Sequence, residues 1–279
     1  MEQRILSTDL IMGFSNHLIR EEKSQATCEK YLRDVRGFRL FIHGRSITKE
    51  LVMDWKQSLI DTGYAVRSIN SMLASVNSLL NFLNWKDCKV KNIRMQRQIY
   101  CSEDRELRKG EYLQLLEASQ KDPQMNMVIQ TICATGIRVS ELRYFTVEAV
   151  SQQTICVNCK GKIRTIMIPG KLRKMLLKYA KQVGIVSGVI FTGKNKKPLD
   201  RSVIWRKMKE ICKKAGIRES KVFPHNLRKL FAYTFYTIEK DIVKLADILG
   251  HSSINTTRIY IMSNGLEHRK KIEKLGLII

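Results

Sequence analysis

Residues 152–169 read QQTICVNCKGKIRTIMIP. Two runs rich in β-branched residues flank the tripeptide KGK, and a glycine between two such runs is typical of a β-hairpin. The turn is expected to place Lys160, Lys162 and Arg164 on an exposed basic tip. Elsewhere the pattern is helical, so the sequence predicts a mainly α fold with one small β-hairpin.

On both sides of the hairpin, apolar residues recur at a spacing of about 3.6, which indicates amphipathic helices. Four such stripes fall within residues 8–86, and Thr48 and Gly63 are predicted to begin and stop the third. Two more helices are expected at 109–119 and 123–134. After the hairpin, helices are predicted at about 170–183, 200–215, 226–238, 240–249, 254–261 and 265–275.

These helices are expected to form two domains, because a chain of 279 residues can bury more than one core. Residues 1–88 would be a small helical domain. Residues 89–105 have mixed charge and little periodicity and are predicted to be a linker. Residues 106–279 would form the larger domain, which contains the hairpin.

The charge of the chain points to a polyanionic partner. Lys and Arg number 50 against 26 Asp and Glu, a formal net charge of +24. Such a balance favours nucleic acid first and an acidic membrane surface second. No apolar run approaches the roughly 18–20 residues that span a bilayer, and the N-terminus has no long uncharged stretch typical of a signal peptide. Nucleic acid is therefore the predicted partner, and no membrane is expected.

Cysteine usage predicts a reducing compartment and no zinc site. The seven cysteines are scattered and odd in number, which argues against a secreted disulfide framework and for the cytoplasm. Cys156 and Cys159 form a CxxC, but no second CxxC or His pair lies nearby. Residues three apart on a strand also point to opposite faces, so zinc is not expected there.

Besides the hairpin, three stretches of the larger domain hold residues able to do chemistry: ATGIRVSEL at 134–142, FPHNLRKLFAYTFY at 223–236 and LGHSSINTTRIYI at 249–261. Each has an ordinary alternative when taken alone. The first is then a surface Arg–Glu pair, the second a structural histidine, and the third a helix end followed by a packed tyrosine. Gly250 is predicted to end one helix and Asn255 to cap the next.

Together the clusters fit attack on a phosphodiester. That reaction needs a nucleophile, positive charge around the non-bridging oxygens, a proton acceptor, and a proton donor for the leaving 5′-oxygen. Arginine forks, imidazoles and an exposed lysine suit these roles. The candidates are Tyr260 as nucleophile, Arg138 and Arg228 as phosphate ligands, His225 and His251 for proton exchange, and Lys160 as general acid. No carboxylate cluster suited to Mg²⁺ is evident, so a route without metal or other cofactor is predicted.

The motifs ATGIRVSEL, CKGK, HNLR and LGHSSINTTRIY, in this order and spacing, resemble the tyrosine recombinase (phage integrase) family. The resemblance covers about residues 106–275, and the four helices at 8–86 are similar to the SAM-like core-binding domain of that family. It implies that the two domains form a C-shaped clamp around duplex DNA.

The resemblance also implies a role for each matched residue. The residues are Arg138 as the first catalytic arginine, Glu141 as the acid that supports the site, Lys160 as the hairpin lysine that protonates the leaving 5′-hydroxyl, His225 and Arg228 as the His-x-x-Arg pair, His251 as a hydrogen-bond donor to the phosphate, and Tyr260 as the nucleophile that forms a 3′-phosphotyrosyl link. Lys162, Arg164 and Lys229 are expected to contact DNA. Lys229 stands where many members have a histidine. Lys162 is an alternative to the preferred Lys160 as general acid.

The implied activity is site-specific recombination on short core sites in double-stranded DNA. Four copies of a protein that is monomeric when free would exchange strands through a Holliday junction without ATP. Whether a separate directionality factor takes part is left open. No arm-binding domain is expected before residue 8. The tail at 265–279 would pack either on a neighbouring copy or on its own domain.

Two other activities are alternatives, a type IB topoisomerase-like relaxase and a non-enzymatic DNA-binding regulator. The integrase-like core-binding region argues against the first, and the full set of catalytic residue types argues against the second. Whether the outcome is integration, excision, inversion or dimer resolution is left open. Tyr260 must also be accessible, since a deeply buried ring would mean an inactive resting state or simple packing.

Overall fold

The computed structural model of the protein describes residues 3–95, 106–159, 162–261 and 273–274. The chain divides into two compact units, Met1–Arg97 and Gln98–Ile279. Lys160, most of the expected helix at 265–275 and the second half of the expected linker lie outside the described residues. None of the described helices is long and apolar enough to cross a membrane.

The first unit contains the four predicted helices. They are α1 (Thr8–Arg20), α2 (Gln25–Ile42), α3 (Lys49–Asp61) and α4 (Val66–Phe82), followed by a 3-10 turn at Lys86–Cys88. The Ser7 and Thr48 hydroxyls cap α1 and α3 by accepting from the third amide that follows each of them. The apolar faces form one core, whose most buried members include Phe14, Val35, Phe38, Leu73 and Val76.

A buried acid joins two helices of this core. Asp34 on α2 is almost fully buried, and its carboxylate accepts from the Ser75 hydroxyl of α4 at 2.9 Å and from the Lys30 ammonium at 2.9 Å. The Lys30 ammonium also donates to the Ser71 carbonyl at 2.5 Å. A buried carboxylate is tolerated only when it is paired in this way.

Removing this carboxylate should destabilise the first unit. Asp34→Ala removes the charged acceptor that the ammonium and the hydroxyl share and leaves both with the Ser71 carbonyl, and we expect a loss of about 3 kcal/mol in unfolding free energy. Hydrogen exchange of the α2 and α4 amides in the full chain measures this loss of unfolding free energy. The matched control is Arg33→Ala, whose exposed guanidinium touches the other oxygen of the same carboxylate at 3.4 Å and should cost under about 1 kcal/mol. Equal losses in the two variants would contradict the assignment.

The start of the expected linker packs on α4 instead of leaving the first unit. The Asn77 amide donates to the Val90 carbonyl at 2.9 Å and accepts from its N–H at 3.2 Å, and the Asn70 amide does the same with Ile93 at 2.9 and 2.8 Å. Asn70 and Asn77 are seven residues apart on a helix, and Val90 and Ile93 are three apart in an extended chain. Both separations span about 10 Å, so each asparagine side chain can reach its own backbone partner. Residues 89–93 therefore belong to the structure of the first unit.

The second unit is built from eight helices, a hairpin and short 3-10 turns within the described ranges. Its elements are α5 (Lys109–Ala118), α6 (Pro123–Thr135), a 3-10 segment at Val139–Tyr144, α7 (Val147–Ser151), β1 (Thr154–Cys159), β2 (Lys162–Met167), α8 (Gly170–Gln182), α9 (Arg201–Lys214), α10 (Pro224–Glu239), α11 (Ile242–Leu249) and α12 (Ile254–Ile261). Prolines stand at the first turn of α6 and α10, where the missing N–H costs nothing. The main core lies among α5–α10 and the hairpin, and a smaller cluster joins α10, α11 and α12.

The predicted hairpin is present, with β1 and β2 antiparallel and Cys159 opposite Lys162. The expectation that Arg164 lies on the exposed tip is wrong. Arg164 pairs with the buried Val157 in the middle of the ladder, and opposed residues share one face of a sheet. Its side chain therefore points inward.

The expected cap of α12 also needs correction. The helix begins at Ile254, and the Asn255 N–H donates to the Ser253 hydroxyl at 3.3 Å. Ser253 thus caps the helix, one position before its first residue, while Asn255 lies inside the first turn. A serine hydroxyl serves there as well as an asparagine amide.

Candidate active site

The second turn of α10 carries a buried arginine. Arg228 is 2% exposed, and its guanidinium donates to the Gly136 carbonyl at 2.6 Å and to the Leu249 carbonyl at 2.7 Å. Burial lowers the pKa of this guanidinium to about 10, which leaves it charged at neutral pH. Arg228 thus places a positive charge where α6 and α11 both end.

Gly136, at the end of α6, is required by that arrangement. Its φ of +62° is left-handed, and a Cβ at this position would lie 2.3 Å from a ring carbon of Phe231. Only glycine allows both the turn and this close approach. The turn presents the Gly136 carbonyl to Arg228.

Arg138 donates two hydrogen bonds to Glu141 just after that turn. Glu141 is fully buried, and its carboxylate accepts from the Arg138 backbone N–H at 2.7 Å and from its guanidinium at 3.1 Å. The Arg138 side chain is 40% exposed. The buried acid therefore fixes an arginine whose donors still reach solvent, as a phosphate ligand requires.

His251 lies directly after α11 and is held through both ring nitrogens. Its Nε2 is 2.9 Å from Nη2 of Arg228, and its Nδ1 is 2.9 Å from the Thr257 hydroxyl. Because a guanidinium can only donate, Nε2 must accept and the neutral ring carries its proton on Nδ1. In this arrangement His251 is an acceptor at the nitrogen nearest the arginine.

Tyr260 is buried, with 6% of the residue exposed. Its ring lies between the imidazoles of His225 and His251, with centroids 5.1 and 5.2 Å away, and packs against the cluster that joins α10 and α11. Its hydroxyl is 3.5 Å from Nδ1 of His225. The ring therefore fills a core and also points its hydroxyl at a base.

The base next to that hydroxyl is a neutral imidazole. Partial desolvation of the ring lowers the pKa of His225 below its ordinary 6.5, and the positive charges of Arg228 and Lys229 lower it further. A neutral imidazole is able to take a proton from a tyrosine hydroxyl. The site thus holds a nucleophile and a proton acceptor within reach of each other.

A cavity of about 330 Å³ opens beside these groups. Arg138, His225 and Arg228 line it together with Arg201 and Trp205 of α9. Its wall therefore carries arginine donors next to a neutral base, which is suited to an anionic oxygen. Arg201 and Trp205 were not predicted from the sequence, although an arginine and an exposed tryptophan one turn apart at the start of a helix were a usable signal.

Two family models match the chain in the same order as its two units. The model described as Phage integrase family matches residues 105–266, more than half of the chain, and the one described as Phage integrase, N-terminal SAM-like domain matches residues 11–87. The chain belongs to the phage integrase family. The predicted enzyme class, a tyrosine-type site-specific recombinase, is confirmed with it.

Known relatives of the chain include tyrosine recombinase XerA of Pyrococcus furiosus, 28% identical over 100% of this chain and 98% of the relative. Among solved structures, XerH recombinase bound to difH substrate aligns at 18% identity with a TM-score of 0.70, covering 96% of this chain and 84% of that one. A lambda integrase tetramer bound to a Holliday junction aligns at 17% identity with a TM-score of 0.74, covering 93% and 78%. These structures confirm the predicted fold class.

The three predicted DNA-contacting residues have different surroundings in the structure. Lys229 is mostly buried and pairs with Glu106 at 2.8 Å, so its ammonium is engaged within the protein. Arg164 faces inward, where its guanidinium forms an ion pair with Glu141. Lys162 is the first residue of β2, two positions after the predicted general acid Lys160 in the sequence.

No cluster of three or more His, Cys, Asp or Glu side chains is arranged to hold a metal ion in the described part of the chain. The expectation of metal-independent chemistry stays a prediction. Thr257, which orients His251, was missed in the sequence because a threonine six residues after a histidine has no distinctive pattern.

The partly buried imidazole of His251 should make the stability of the protein depend on pH. Burial, reinforced by the charge of Arg228 and its neighbours, lowers the pKa of His251 from 6.5 to about 4. Between these values the unfolded chain binds a proton that the folded chain excludes. Stability is thus full above pH 6.5 and is lost as the pH falls towards 4.

From pH 7 to pH 5 this one group should reduce the unfolding free energy by about 2 kcal/mol. Denaturant unfolding of the native protein and of His251→Asn at both pH values measures the difference. The variant should lose about 2 kcal/mol less than the native protein over this range. An identical loss in both proteins would refute the assignment.

Proposed function

We propose that the protein recombines double-stranded DNA at short core sites through a 3′-phosphotyrosyl intermediate on Tyr260. The observation that carries the proposal is the contact of the Tyr260 hydroxyl with His225, 3.5 Å away, beside a cavity lined by Arg138 and Arg228. This arrangement supplies a nucleophile, a base and phosphate ligands in one place.

The two arginines bind the scissile phosphate. Arg138 offers exposed fork-shaped donors, and Arg228 contributes fixed charge from the wall of the cavity. Charge held in place before the reaction stabilises the extra negative charge of the pentavalent transition state without reorganisation. Glu141 keeps the Arg138 fork oriented.

The covalent step then balances as a transesterification. The Tyr260 oxygen forms a bond to phosphorus while the bond from phosphorus to the 5′-oxygen breaks. His225 accepts the tyrosine proton, and Lys160 gives a proton to the leaving 5′-oxygen. One phosphodiester is exchanged for another, so religation to a different 5′-hydroxyl needs no ATP.

The buried position of Tyr260 is a resting state in this proposal. The hydroxyl already faces its base, and α12 is a helix of eight residues whose buried side chains are Thr257 and Tyr260. Few contacts must break for so short a helix to shift towards a phosphate. The negative charge of a bound phosphate favours protonation of His251 at Nε2, and the protonated ring then donates a hydrogen bond to the phosphate.

The proposed partner is duplex DNA, bound by residues 1–88 as the core-binding domain and residues 106–279 as the catalytic domain. The formal charge of +24 favours such a polyanion. Strand exchange on two duplexes requires four active tyrosines, so four copies assemble on DNA from monomers. This takes place in the cytoplasm, and a directionality factor is a further candidate partner.

Trapping on nicked duplexes tests the proposal even though the target site is not specified in advance. A library of nicked duplexes with a randomised core is incubated with the full chain, and the covalent adducts are isolated and sequenced. A recombinase should enrich one pair of inverted core sequences. A relaxase would form adducts without sequence enrichment, and a DNA-binding regulator would form none; either result contradicts the proposal.

A further inference from the structure

The carbonyls at the end of α11 have an unusual set of partners. Helix ends leave such carbonyls without intrahelical donors. Here Gly250 has a left-handed φ of +63°, and the N–H groups of Gly250 and His251 donate to the carbonyls of Asp247 and Ala246 at 3.0 and 2.9 Å. This Schellman motif satisfies two carbonyls. The next three carbonyls need other donors.

Three arginines from three different elements supply those donors. The carbonyls of Ile248, Leu249 and Gly250 accept, in that order, from Arg164 of β2 at 2.5 Å, Arg228 of α10 at 2.7 Å and Arg138 at 3.4 Å. Each consecutive carbonyl thus takes one guanidinium.

The helix end also compensates the charge of this cluster. Glu141 is the carboxylate that Arg138 and Arg164 contact, and the C-terminal end of a helix carries roughly half a negative charge. Three guanidiniums therefore stay together with positive charge in excess, and the two that line the cavity, Arg138 and Arg228, present that charge to a phosphate.

Arg164 differs from the other two arginines. Its side chain is 11% exposed, and the described residues that line the 330 Å³ cavity include Arg138 and Arg228 but not Arg164. It packs directly over Gly250, where an added Cβ would lie 2.5 Å from the Arg164 Cδ. Arg164 thus touches Glu141 on one side and the residue before His251 on the other.

We propose that Arg164 is a positioning residue of the recombinase. It joins the hairpin to Glu141 and to the end of α11, and through them it fixes the Arg138 guanidinium and the His251 imidazole. It does not contact the phosphate. The consequence for catalysis rests on the proposed function, whereas the positioning itself is a property of the free protein.

The free protein gives the first test. Arg164→Lys keeps the charge and Arg164→Met removes it, and neither side chain has the two separate nitrogens with which Arg164 reaches Glu141 and Ile248. The Gly250 and His251 amides should then exchange with solvent at least about tenfold faster, while α8 amides keep their native protection. Arg173→Met, a half-buried arginine on α8, is the matched control and should leave the Gly250 and His251 amides unchanged.

Faster exchange across the whole second unit in both Arg164 variants would overturn the proposal, since Arg164 would then only support the core. Native protection of the Gly250 and His251 amides in both variants would overturn it as well. These readouts do not need DNA, so they stand whatever the outcome of the adduct-trapping experiment.

Cleavage gives the second test, using the nicked duplex recovered by trapping. Both Arg164 variants should cleave at saturating DNA about 100-fold more slowly, because a misplaced catalytic group costs about that factor. Their affinity for the duplex should stay within about threefold of native, well below the tenfold that about 1.4 kcal/mol produces. Arg173→Met should cleave at the native rate.

The route through Glu141 is tested by combining Arg164→Met with Glu141→Gln. If Arg164 acts through that carboxylate, the double variant is little slower than the slower single variant. The positioning role would be overturned if the rate losses of the two single variants multiplied in the double variant. It would also be overturned if the Arg164 variants cleaved at the native rate or lost only DNA affinity. Absence of any adduct with the native protein would overturn the proposed function instead.

Discussion

Tyr260→Phe is expected to abolish the covalent DNA adduct while leaving DNA binding and folding intact. The ring keeps its place between two imidazoles and in the cluster on α10 and α11, so the packing is preserved. The hydroxyl is the only atom removed, and its loss takes away the nucleophile. A missing nucleophile lowers cleavage by about 10⁴-fold or more, below detection in an adduct assay.

Tyr236→Phe is the matched control, because Tyr236 packs against the same cluster and loses the same atom. It should form adduct at the native rate. Both variants should bind the trapped duplex with native affinity. Adduct formation by Tyr260→Phe would mean that another residue attacks the phosphate, and Tyr260 would then be a packing residue only.

Arg228→Lys is expected to lose both activity and stability. A lysine ammonium cannot donate at once to Gly136, Leu249 and His251, so a buried carbonyl loses its partner. We expect cleavage to fall by about 10³-fold and the unfolding free energy of the second unit by about 2–3 kcal/mol. Single-turnover cleavage and denaturant unfolding measure the two effects.

Arg138→Lys separates the two effects. Its side chain is 40% exposed and its partner Glu141 stays paired with Arg164, so stability should change by less than about 1 kcal/mol. Cleavage should still fall by about 10²-fold because the phosphate loses a fork-shaped ligand. Native cleavage by Arg228→Lys, or an equal stability loss in both variants, would contradict the division of roles.

Most of the fold was predictable because its signals are local. The hairpin follows from two β-branched runs around a glycine, and α10 from a proline ahead of an apolar stripe. The four helices of the first unit follow from period 3.6 alone. The placement of residues 89–93 could not be predicted, because this segment is held by the side chains of Asn70 and Asn77, which lie on α4.

The inward direction of the Arg164 side chain could in principle have been predicted from the sequence. Arg164 and the buried Ile166 are two residues apart on one strand and therefore share a face. Exposed apolar residues at 163 and 167 obscured that alternation. The burial of Tyr260 was not readable, because it depends on how α12 packs on α10 and α11. The sequence thus indicates which residue types meet, whereas their protonation and accessibility come from tertiary contacts.

The most direct test of the central claim is to map the DNA linkage in the trapped adduct. After digestion with protease and nuclease, mass spectrometry should find one nucleotide joined through its 3′-phosphate to the peptide that contains Tyr260, and the released strand should end in a 5′-hydroxyl. A link to another residue, a link through a 5′-phosphate, or a released strand with a 5′-phosphate would contradict the account.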